Sequence, residues 1–173
     1  KHFAVVGGAI RFGMAAIKNV GEGAVESIIA NRNEVGPFTS FFDFCRRVDL
    51  HKVNKRTLEG LIKAGAFDST GGRRSQLMAI LDQAVDEGAA MQKARAEGQI
   101  SMFGCELGAD TQAPLLSDPP LPDVPEWSQG ELLKYERELT GFYISAHPLA
   151  RYEQAIRLFT TITTETLATI PDG

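Results

Sequence analysis

Apolar residues recur at helical spacing along most of the chain, and this pattern predicts a mainly α-helical fold. Strand-like alternation is confined to residues 2–12, on either side of a Gly7-Gly8 pair. A two-residue glycine loop between alternating segments is typical of a β-hairpin. We therefore expect the chain to begin with a small hairpin and to continue as helices.

The first part of the chain contains one pattern twice: a short helix, a tight turn and a second short helix. The predicted copies are helix 13–17, turn 18–23 and helix 24–32, followed by helix 41–48, turn 49–54 and helix 55–64. Ser40 and Asn54 are suited to cap the helices that follow them, and Gly65 is suited to end the last helix. The repeat predicts one compact unit over residues 1–70.

Beyond this unit, the sequence predicts a long amphipathic helix over about residues 73–96. Periodicity is lost in residues 104–126, where five prolines remove backbone donors and indicate a loop. Helical order resumes at a capping box that Ser128 opens, extends to about residue 145, and begins again at Pro148. Further helices are therefore expected in the C-terminal part.

The composition excludes several classes of protein. The 173 residues, 43% of them hydrophobic, are enough to bury a core. Cys45 and Cys105 lie far apart, and with three scattered histidines they predict neither a disulfide framework nor a metal site. No apolar run is long enough to span a membrane, and a reducing, cytoplasmic location is expected. Because the chain begins with Lys1 rather than methionine, we expect a piece of a longer protein.

The net charge of −4 is distributed unevenly along the chain. Residues 1–75 contain 12 Lys and Arg against 7 Asp and Glu, a charge of +5, whereas the remaining residues contain 6 against 15, a charge of −9. This division favours a polyanionic partner at the N-terminal part only. The alternative is that the imbalance belongs to an ordinary solvated surface.

The turn of the first copy contains two glycines, Gly21 and Gly23, directly before its second helix. Both glycines allow positive φ and have no side chain that would hold another surface away, and Val20 can turn inward. Amides at a helix N-terminus can then converge on a phosphate oxygen, which binds DNA without regard to its sequence. The predicted DNA contacts are Lys18, Asn19, Val20, Gly21, Glu22, Gly23 and Ala24. An ordinary turn between helices is the alternative, whereas a dinucleotide fingerprint would need a third glycine.

The turn of the second copy contains no glycine. It is predicted either to be a structural half of the repeat or to bind phosphate through Lys52, Lys55 and Arg56. The second set of candidate DNA-binding residues is Lys52, Val53, Asn54, Lys55 and Arg56. The sequence alone leaves both readings open.

A pentapeptide, Gln99-Ile100-Ser101-Met102-Phe103, follows the predicted long helix. Its two adjacent large apolar residues suit a pocket on another protein, where Gln99 would fix the register by hydrogen bonds. Burying Met102 and Phe103 would contribute roughly 3 to 6 kcal/mol, which ordering of the loop offsets in part. The alternative is that both side chains pack back onto the long helix.

Three resemblances follow from these residues. Val20-Gly21-Glu22-Gly23 resembles the hairpin of the helix-hairpin-helix motif, paired copies of which straddle the minor groove of duplex DNA. Residues 99–103 resemble the clamp-binding peptide of bacterial replication proteins. Most of the chain resembles the alpha subunit of bacterial DNA polymerase III, through residues 10–23, 63–68, 99–103 and 136–149.

The resemblance to the polymerase subunit implies its clamp-binding region, outside the catalytic part and preceding an OB-fold. The implied parts are a tandem helix-hairpin-helix unit with its leading β-hairpin (1–70), the long helix (71–98), the clamp-binding peptide (99–103), the Pro-rich loop (104–126) and C-terminal helices leading toward the OB-fold (127–173). Expected partners are duplex DNA, the sliding clamp (beta subunit) and, through the full-length protein, other replicase subunits. We expect no catalytic residue, cofactor, metal or membrane contact in this chain.

Two other classes of function stay open at this point. One is the helix-hairpin-helix part of a repair enzyme, such as a ligase or nuclease, whose catalytic residues lie elsewhere. The other is a purely protein-binding helical module. Whether a polymerase parent would be the main replicase or an error-prone relative is equally open.

Several residues with reactive side chains are assigned structural roles. Cys45 lies on an apolar stripe and is expected in the core. His147 is expected to be a cap or a hydrogen-bond partner. Glu136 and Glu138 have no paired carboxylate at a catalytic spacing and are expected on a solvated helix face. Residues 71–74 are expected to lead into the long helix rather than to hold a phosphate.

Overall fold

A computed structural model of the chain describes residues 2–97 and 118–160. Within these ranges the mainly α-helical prediction is confirmed, and the chain begins with a two-stranded antiparallel hairpin. The predicted clamp-binding peptide, residues 99–103, lies outside the described residues, as do most of the predicted Pro-rich loop and residues 161–173. No helix of the described ranges is long and apolar enough to cross a membrane.

Short helices follow the hairpin in the order that the repeat predicted. The strands are β1 (Ala4–Val6) and β2 (Ala9–Arg11), the α-helices are α1 (Glu22–Val35), α2 (Phe41–Arg47), α3 (Lys55–Lys63), α4 (Arg74–Ala79), α5 (Leu81–Ala96), α6 (Gln129–Thr140) and α7 (Glu153–Phe159), and the 3-10 turns are Met14–Ala16, Asp68–Thr70 and Ala150–Tyr152. In the hairpin, Val5 pairs with Ile10, and Gly7 and Gly8 form the loop at φ values of 59° and 80°. Glycine reaches these angles without strain.

Helices α1 to α5 share one hydrophobic core, and the apolar stripes predicted from the sequence face it. The core residues with an exposed fraction of at most 3% include Val25, Ile28, Phe41, Phe44, Cys45, Leu58, Leu61, Ile62, Leu77, Leu81 and Ala84. Helix α5 approaches α2 closely at Gly88, where an added Cβ would lie 2.5 Å from the carbonyl oxygen of Cys45. Burial raises the pKa of the Cys45 thiol to about 12, and its predicted core position is confirmed.

Side chains cap three helices as predicted. Ser40, Asn54 and Ser128 each accept a hydrogen bond from the amide three residues later, at 3.0, 3.0 and 3.3 Å. Gly65 follows α3 at a left-handed φ of 81°, and Ala66 N closes the helix end by donating to the backbone oxygen five residues earlier at 2.9 Å. The residues that begin and end α3 therefore lie within a few positions of the helix ends.

The first copy of the repeat departs from its predicted boundaries at both ends. Its first helix is a single 3-10 turn, Met14–Ala16. Its second helix, α1, extends to Val35 instead of ending near residue 32. No glycine or proline interrupts the C-terminal half of α1 before Gly36, which ends the helix at a φ of 105°.

The later helices also differ from the prediction. The predicted long helix is divided into α4 and α5 at Ile80, whose ψ of 3° is not helical. Helix α6 ends at Thr140 rather than near residue 145, because Gly141 takes a left-handed φ of 81°. The last element begins as a 3-10 turn at Ala150 and continues as α7. The apolar periodicity in the sequence continues through these positions and therefore did not predict the changes.

A buried ion pair joins α4 to α6. Nη1 of Arg74 donates to Oε1 of Glu136 at 3.0 Å, and the exposed fractions of the two side chains are 7% and 0%. The same guanidinium donates to both carboxylate oxygens of Asp68, at 2.9 and 2.6 Å, and to the carbonyl oxygen of Lys63 at 3.2 Å. The expectation that Glu136 lies on a solvated helix face is therefore wrong, because a buried cation from another helix is its partner.

The second oxygen of Glu136 organises the segment that follows α6. Oε2 accepts hydrogen bonds from the amides of Ile144 at 2.8 Å and Ser145 at 3.0 Å. Burial alone would raise the pKa of Glu136, but these amide bonds and the bond from Arg74 outweigh it and hold the pKa below its ordinary value. The carboxylate is therefore charged and fully partnered in the folded state.

Glu136→Gln is expected to lower the free energy of unfolding by about 3 kcal/mol, because it leaves the buried Arg74 charge with one fewer anionic partner. Glu138→Gln is the matched control: the same change on an exposed face of the same helix should alter stability by less than about 0.5 kcal/mol. Urea unfolding followed by circular dichroism at pH 7 measures both.

The pH dependence separates the ion pair from packing alone. The contribution of Glu136 is present above the pKa of an unfolded glutamate, about 4.3, and is lost as the pH falls through the lowered pKa of the folded state. The stability difference between wild type and Glu136→Gln should therefore shrink below about pH 4. An equal difference at neutral and at acidic pH would contradict this account.

Candidate nucleic-acid interface

The first hairpin, defined as residues 17–24, leads from the 3-10 turn into α1. Ile17 and Val20 are each 7% exposed and belong to the core, whereas Lys18 and Asn19 between them are exposed. Val20 N donates to the carbonyl oxygen of Ile17 at 3.2 Å and closes the turn. Val20 thus occupies the inward position that the sequence predicted.

The left-handed residue of this turn is Asn19, at a φ of 66°. Neither glycine uses the positive φ that it allows: Gly21 has a φ of −71° and is the N-cap of α1, and Gly23 lies in the first turn of that helix. The chain reverses before the glycines, at an asparagine, which tolerates the left-handed region better than most residues with a side chain.

The two glycines instead leave the N-terminus of α1 uncovered. A Cβ added at Gly21 or Gly23 would meet no other atom within 4 Å, and both residues are exposed. The first helical hydrogen bond runs from Val25 N to the oxygen of Gly21 at 3.1 Å, so the amides of Gly23 and Ala24 have no acceptor within the helix. Gly21 supplies no side-chain cap. This helix end can therefore receive a phosphate oxygen on backbone amides.

The other predicted contacts of the first hairpin divide between surface and core. Lys18 and Glu22 are exposed, whereas Ala24 is 4% exposed, so any contact of Ala24 would use its backbone amide. In the described ranges no carboxylate lies within 4 Å of the Lys18 ammonium. The Lys18 charge is therefore available to an anion.

The second hairpin, defined as residues 49–56, has the same plan but a covered helix end. Val53 is fully buried, in the position that Val20 has in the first hairpin. Asn54 Oδ1 accepts a hydrogen bond from Thr57 N at 3.0 Å. A side chain of the protein thus occupies the place that a phosphate oxygen would take at this helix end.

Two of the three cations predicted for the second hairpin are paired with carboxylates. Lys55 Nζ lies 2.5 Å from Asp82 Oδ1, and Lys52 Nζ lies 3.6 Å from Asp49 Oδ2. The hydrogen bond to Asp82 raises the pKa of Lys55. Arg56 is exposed and has no carboxylate within 4 Å among the residues that the structure describes. Arg56 is therefore the cation of this hairpin most open to an external anion.

The second copy holds the first copy in place. Thr57 Oγ1 donates to the carbonyl oxygen of Asn19 at 3.0 Å, and a Cβ added at Gly60 would lie 3.2 Å from the carbonyl oxygen of Lys18. Helix α3 therefore lies directly against the first hairpin. Sequence reasoning missed Thr57 and Gly60, although a glycine inside an amphipathic helix indicates that another backbone comes close.

The histidine that the sequence singled out makes a local hydrogen bond. His147 Nδ1 accepts a hydrogen bond from Leu149 N at 3.2 Å, which confirms the hydrogen-bonding role expected for this histidine. In the part of the chain that the structure describes, no group of three or more His, Cys, Asp and Glu side chains could hold a metal ion.

Asn19→Ala is expected to lower the free energy of unfolding by about 1 kcal/mol, because alanine lacks the short polar side chain that lets asparagine adopt the left-handed region. Asn19→Gly should leave stability unchanged to within about 0.5 kcal/mol, since glycine adopts this φ without strain. Urea unfolding of the two variants makes the comparison. Equal destabilisation by both substitutions would show that the backbone angle is not the cause.

Known proteins are similar to this chain over most of its length. Residues 1–77 match the helix-hairpin-helix motif family. The DNA polymerase III subunit alpha of Vibrio cholerae is 44% identical over 154 residues, which is 89% of this chain and 13% of the relative. The subunit of the same name from Haemophilus influenzae is 40% identical over 170 residues, covering 96% of this chain and 14% of the relative. That of Neisseria meningitidis is 44% identical over 148 residues, covering 86% and 12%.

The chain thus spans 12–14% of the length of these curated relatives. The family match includes both hairpins, and the similarity to the polymerase subunits continues well beyond residue 77. The resemblance that the sequence motifs indicated is thereby confirmed: over most of its length, this chain is similar to a segment of the alpha subunit of bacterial DNA polymerase III.

Proposed function

We propose that this chain is a non-catalytic segment of a bacterial replicative DNA polymerase that binds duplex DNA without sequence preference and tethers the polymerase to the sliding clamp. The uncovered N-terminus of α1 is the observation that supports DNA binding: Gly21 and Gly23 are bare, and Lys18 has no carboxylate within 4 Å among the described residues. The parent protein would be a DNA-directed DNA polymerase whose catalytic residues lie outside this chain. Replication of a bacterial chromosome implies a cytoplasmic location.

The first hairpin would hold one phosphate of the duplex. The amides of Gly23 and Ala24 would donate to a phosphate oxygen, the positive end of α1 would favour its charge, and Lys18 would displace a counterion. Because backbone amides and an ammonium read no base edge, the binding is independent of sequence. The second hairpin would act mainly as support, through Thr57, with Arg56 as its additional phosphate contact.

Residues 99–103 are proposed as the tether to the clamp. Met102 and Phe103 would enter an apolar pocket, and Gln99 would fix the register of the peptide. We expect micromolar affinity at best, about −8 kcal/mol, for the peptide alone. Weak binding suffices when the same chain holds DNA, because the second contact is then effectively intramolecular. Other replicase subunits would be partners through the full-length protein.

The alternative function is that of the helix-hairpin-helix part of a repair ligase or nuclease. It is less favoured because the similarity to polymerase subunits covers 86–96% of the chain and not the repeat alone. A purely protein-binding module would have no affinity for DNA even at low salt. The next experiment distinguishes this last possibility.

Gly23→Leu is expected to weaken binding to duplex DNA at least about tenfold, because its side chain would project where the phosphate approaches the helix end. The fold should be preserved, since an added Cβ meets no atom within 4 Å. Fluorescence anisotropy with labelled duplexes of several sequences, measured at several salt concentrations, gives the affinities. Wild type should show a salt slope of about −2, as for the two phosphate contacts of Lys18 and Arg56 at about −0.9 each.

Ala30→Leu is the matched control, because it places the same side chain on an exposed part of the same helix, away from its N-terminus. It should bind duplexes as wild type does. A marked preference among duplex sequences, or wild-type affinity of Gly23→Leu, would remove the hairpin from the proposed function.

Met102→Ala/Phe103→Ala is expected to abolish binding to an immobilised sliding clamp in a surface-plasmon assay, because it removes the apolar anchors of the peptide. Leu107→Ala, a change of one apolar residue a few positions later, should retain binding. Circular dichroism checks that all variants stay folded. Undiminished binding by the double variant would exclude residues 99–103 as the tether.

A further inference from the structure

A cavity of about 370 Å³ lies in the C-terminal part of the chain and shares no lining residue with either hairpin. Helix α6 forms one of its walls, and the segment from Tyr143 to Arg151 forms the other. The volume is within the range of pockets that bind small molecules. Neither the predicted clamp peptide nor the helix-hairpin-helix repeat accounts for this cavity.

Three cations that have no carboxylate partner among the described residues line the cavity. Lys134, Arg137 and Arg151 line it, and none of the three has a carboxylate within 4 Å among the described residues. By contrast, nine other Lys and Arg side chains of the described ranges form ion pairs. Glu138 is the carboxylate of the lining, so the three cations leave a formal charge of +2. This balance favours an anionic ligand.

Planar groups lie beside these cations. The guanidinium carbon of Arg137 lies 5.6 Å from the ring centre of Tyr143, and the Tyr143 and His147 rings meet edge to face at 5.7 Å. Because His147 Nδ1 accepts the hydrogen bond from Leu149 N, the neutral ring has its proton on Nε2 and can donate there. Tyr143 is 40% exposed and thus open to a ligand. Aromatic and guanidinium planes next to cations are the groups that bind unstacked nucleobases and their phosphates.

Contacts on the inner side fix the two walls relative to each other. Gly141 turns the chain at the end of α6, and Arg137 Nη1 donates to the carbonyl oxygen of Gly141 at 2.6 Å. The buried carboxylate of Glu136, on α6, holds the amides of Ile144 and Ser145 in the opposite wall. The cavity is therefore formed before any ligand binds, which limits the entropy lost on binding.

We propose that this cavity binds one nucleotide unit, with the phosphate near Lys134, Arg137 and Arg151 and the base against Tyr143 and His147. The unit belongs either to single-stranded nucleic acid or to a free nucleotide, and both offer the same chemistry. A duplex does not fit, because its bases stay stacked inside the helix. An acidic peptide would satisfy the cations but would leave the aromatic wall without a partner.

The test titrates the whole chain with a labelled oligothymidylate, with dTMP and with hexaglutamate. Tyr143→Ala should weaken oligothymidylate binding at least about fivefold through lost stacking. Arg137→Gln/Arg151→Gln should weaken it about tenfold or more and reduce the salt slope by about 1.4, for two lost phosphate contacts on a single strand. All variants are also made in the Gly23→Leu background, so that the first hairpin does not contribute.

Arg95→Gln/Arg157→Gln is the charge-matched control, since it removes two exposed cations that do not line the cavity. It should bind oligothymidylate as wild type does, with circular dichroism showing that every variant is folded. Binding of dTMP identifies a free nucleotide as a ligand, and binding of oligothymidylate alone identifies a strand; both outcomes support the site. Equal losses in the control, tight binding of hexaglutamate, or no binding of either nucleotide probe would overturn it.

Discussion

The buried ion pair between Arg74 and Glu136 is the interaction on which the rest of the structure depends. A buried pair of this kind contributes little net stability compared with apolar packing, but breaking it is costly, and its geometry permits few alternatives. The carboxylate uses one oxygen to join α6 to α4 and the other to hold Ile144 and Ser145. A single side chain thus contributes both to the docking of α6 and to the placement of the cavity wall.

The two hairpins share a plan and differ in one capping residue. In both, a buried valine precedes the N-cap of the second helix, so the packing of the turns is the same. Asn54 covers its helix end with its own side chain, whereas Gly21 cannot, and only an uncovered end is able to receive an external oxygen. The first hairpin, in turn, is held by Thr57 and, through a bond of 2.9 Å from Lys18 N, by the carbonyl oxygen of Leu139. The first copy of the repeat therefore has the uncovered helix end, and the second copy and α6 hold that copy in position.

Signals that act within a few residues could be predicted from the sequence, and signals that depend on distant residues could not. The caps at Ser40 and Asn54 and the hairpin loop are local, and the apolar stripes identify the core without knowledge of its partners. The burial of Glu136 was missed because its partner is 62 residues earlier in the chain. The positive φ at Asn19 was not predicted, because the two glycines nearby are the residues that reach this angle without strain. The break at Ile80 leaves the apolar stripe uninterrupted and so gives no signal.

In the folded molecule, the division of charge along the chain does not by itself show where an anion binds. Four cations of the positive N-terminal part are paired with acids from the C-terminal part, in the pairs Arg46–Glu87, Arg46–Asp118, Lys55–Asp82, Arg73–Asp123 and Arg74–Glu136. The opposite charges of the two parts therefore complement each other on folding, and the charge of a segment is a poor guide to where an anion binds. What matters is which cations have no carboxylate partner among the described residues; they include Lys18 at the first hairpin, Arg56 at the second, and the three that line the cavity beside α6. A segment with a net negative charge can thus contain a cationic site, because several of its carboxylates are paired with cations of the N-terminal part and do not neutralise the cations of the cavity.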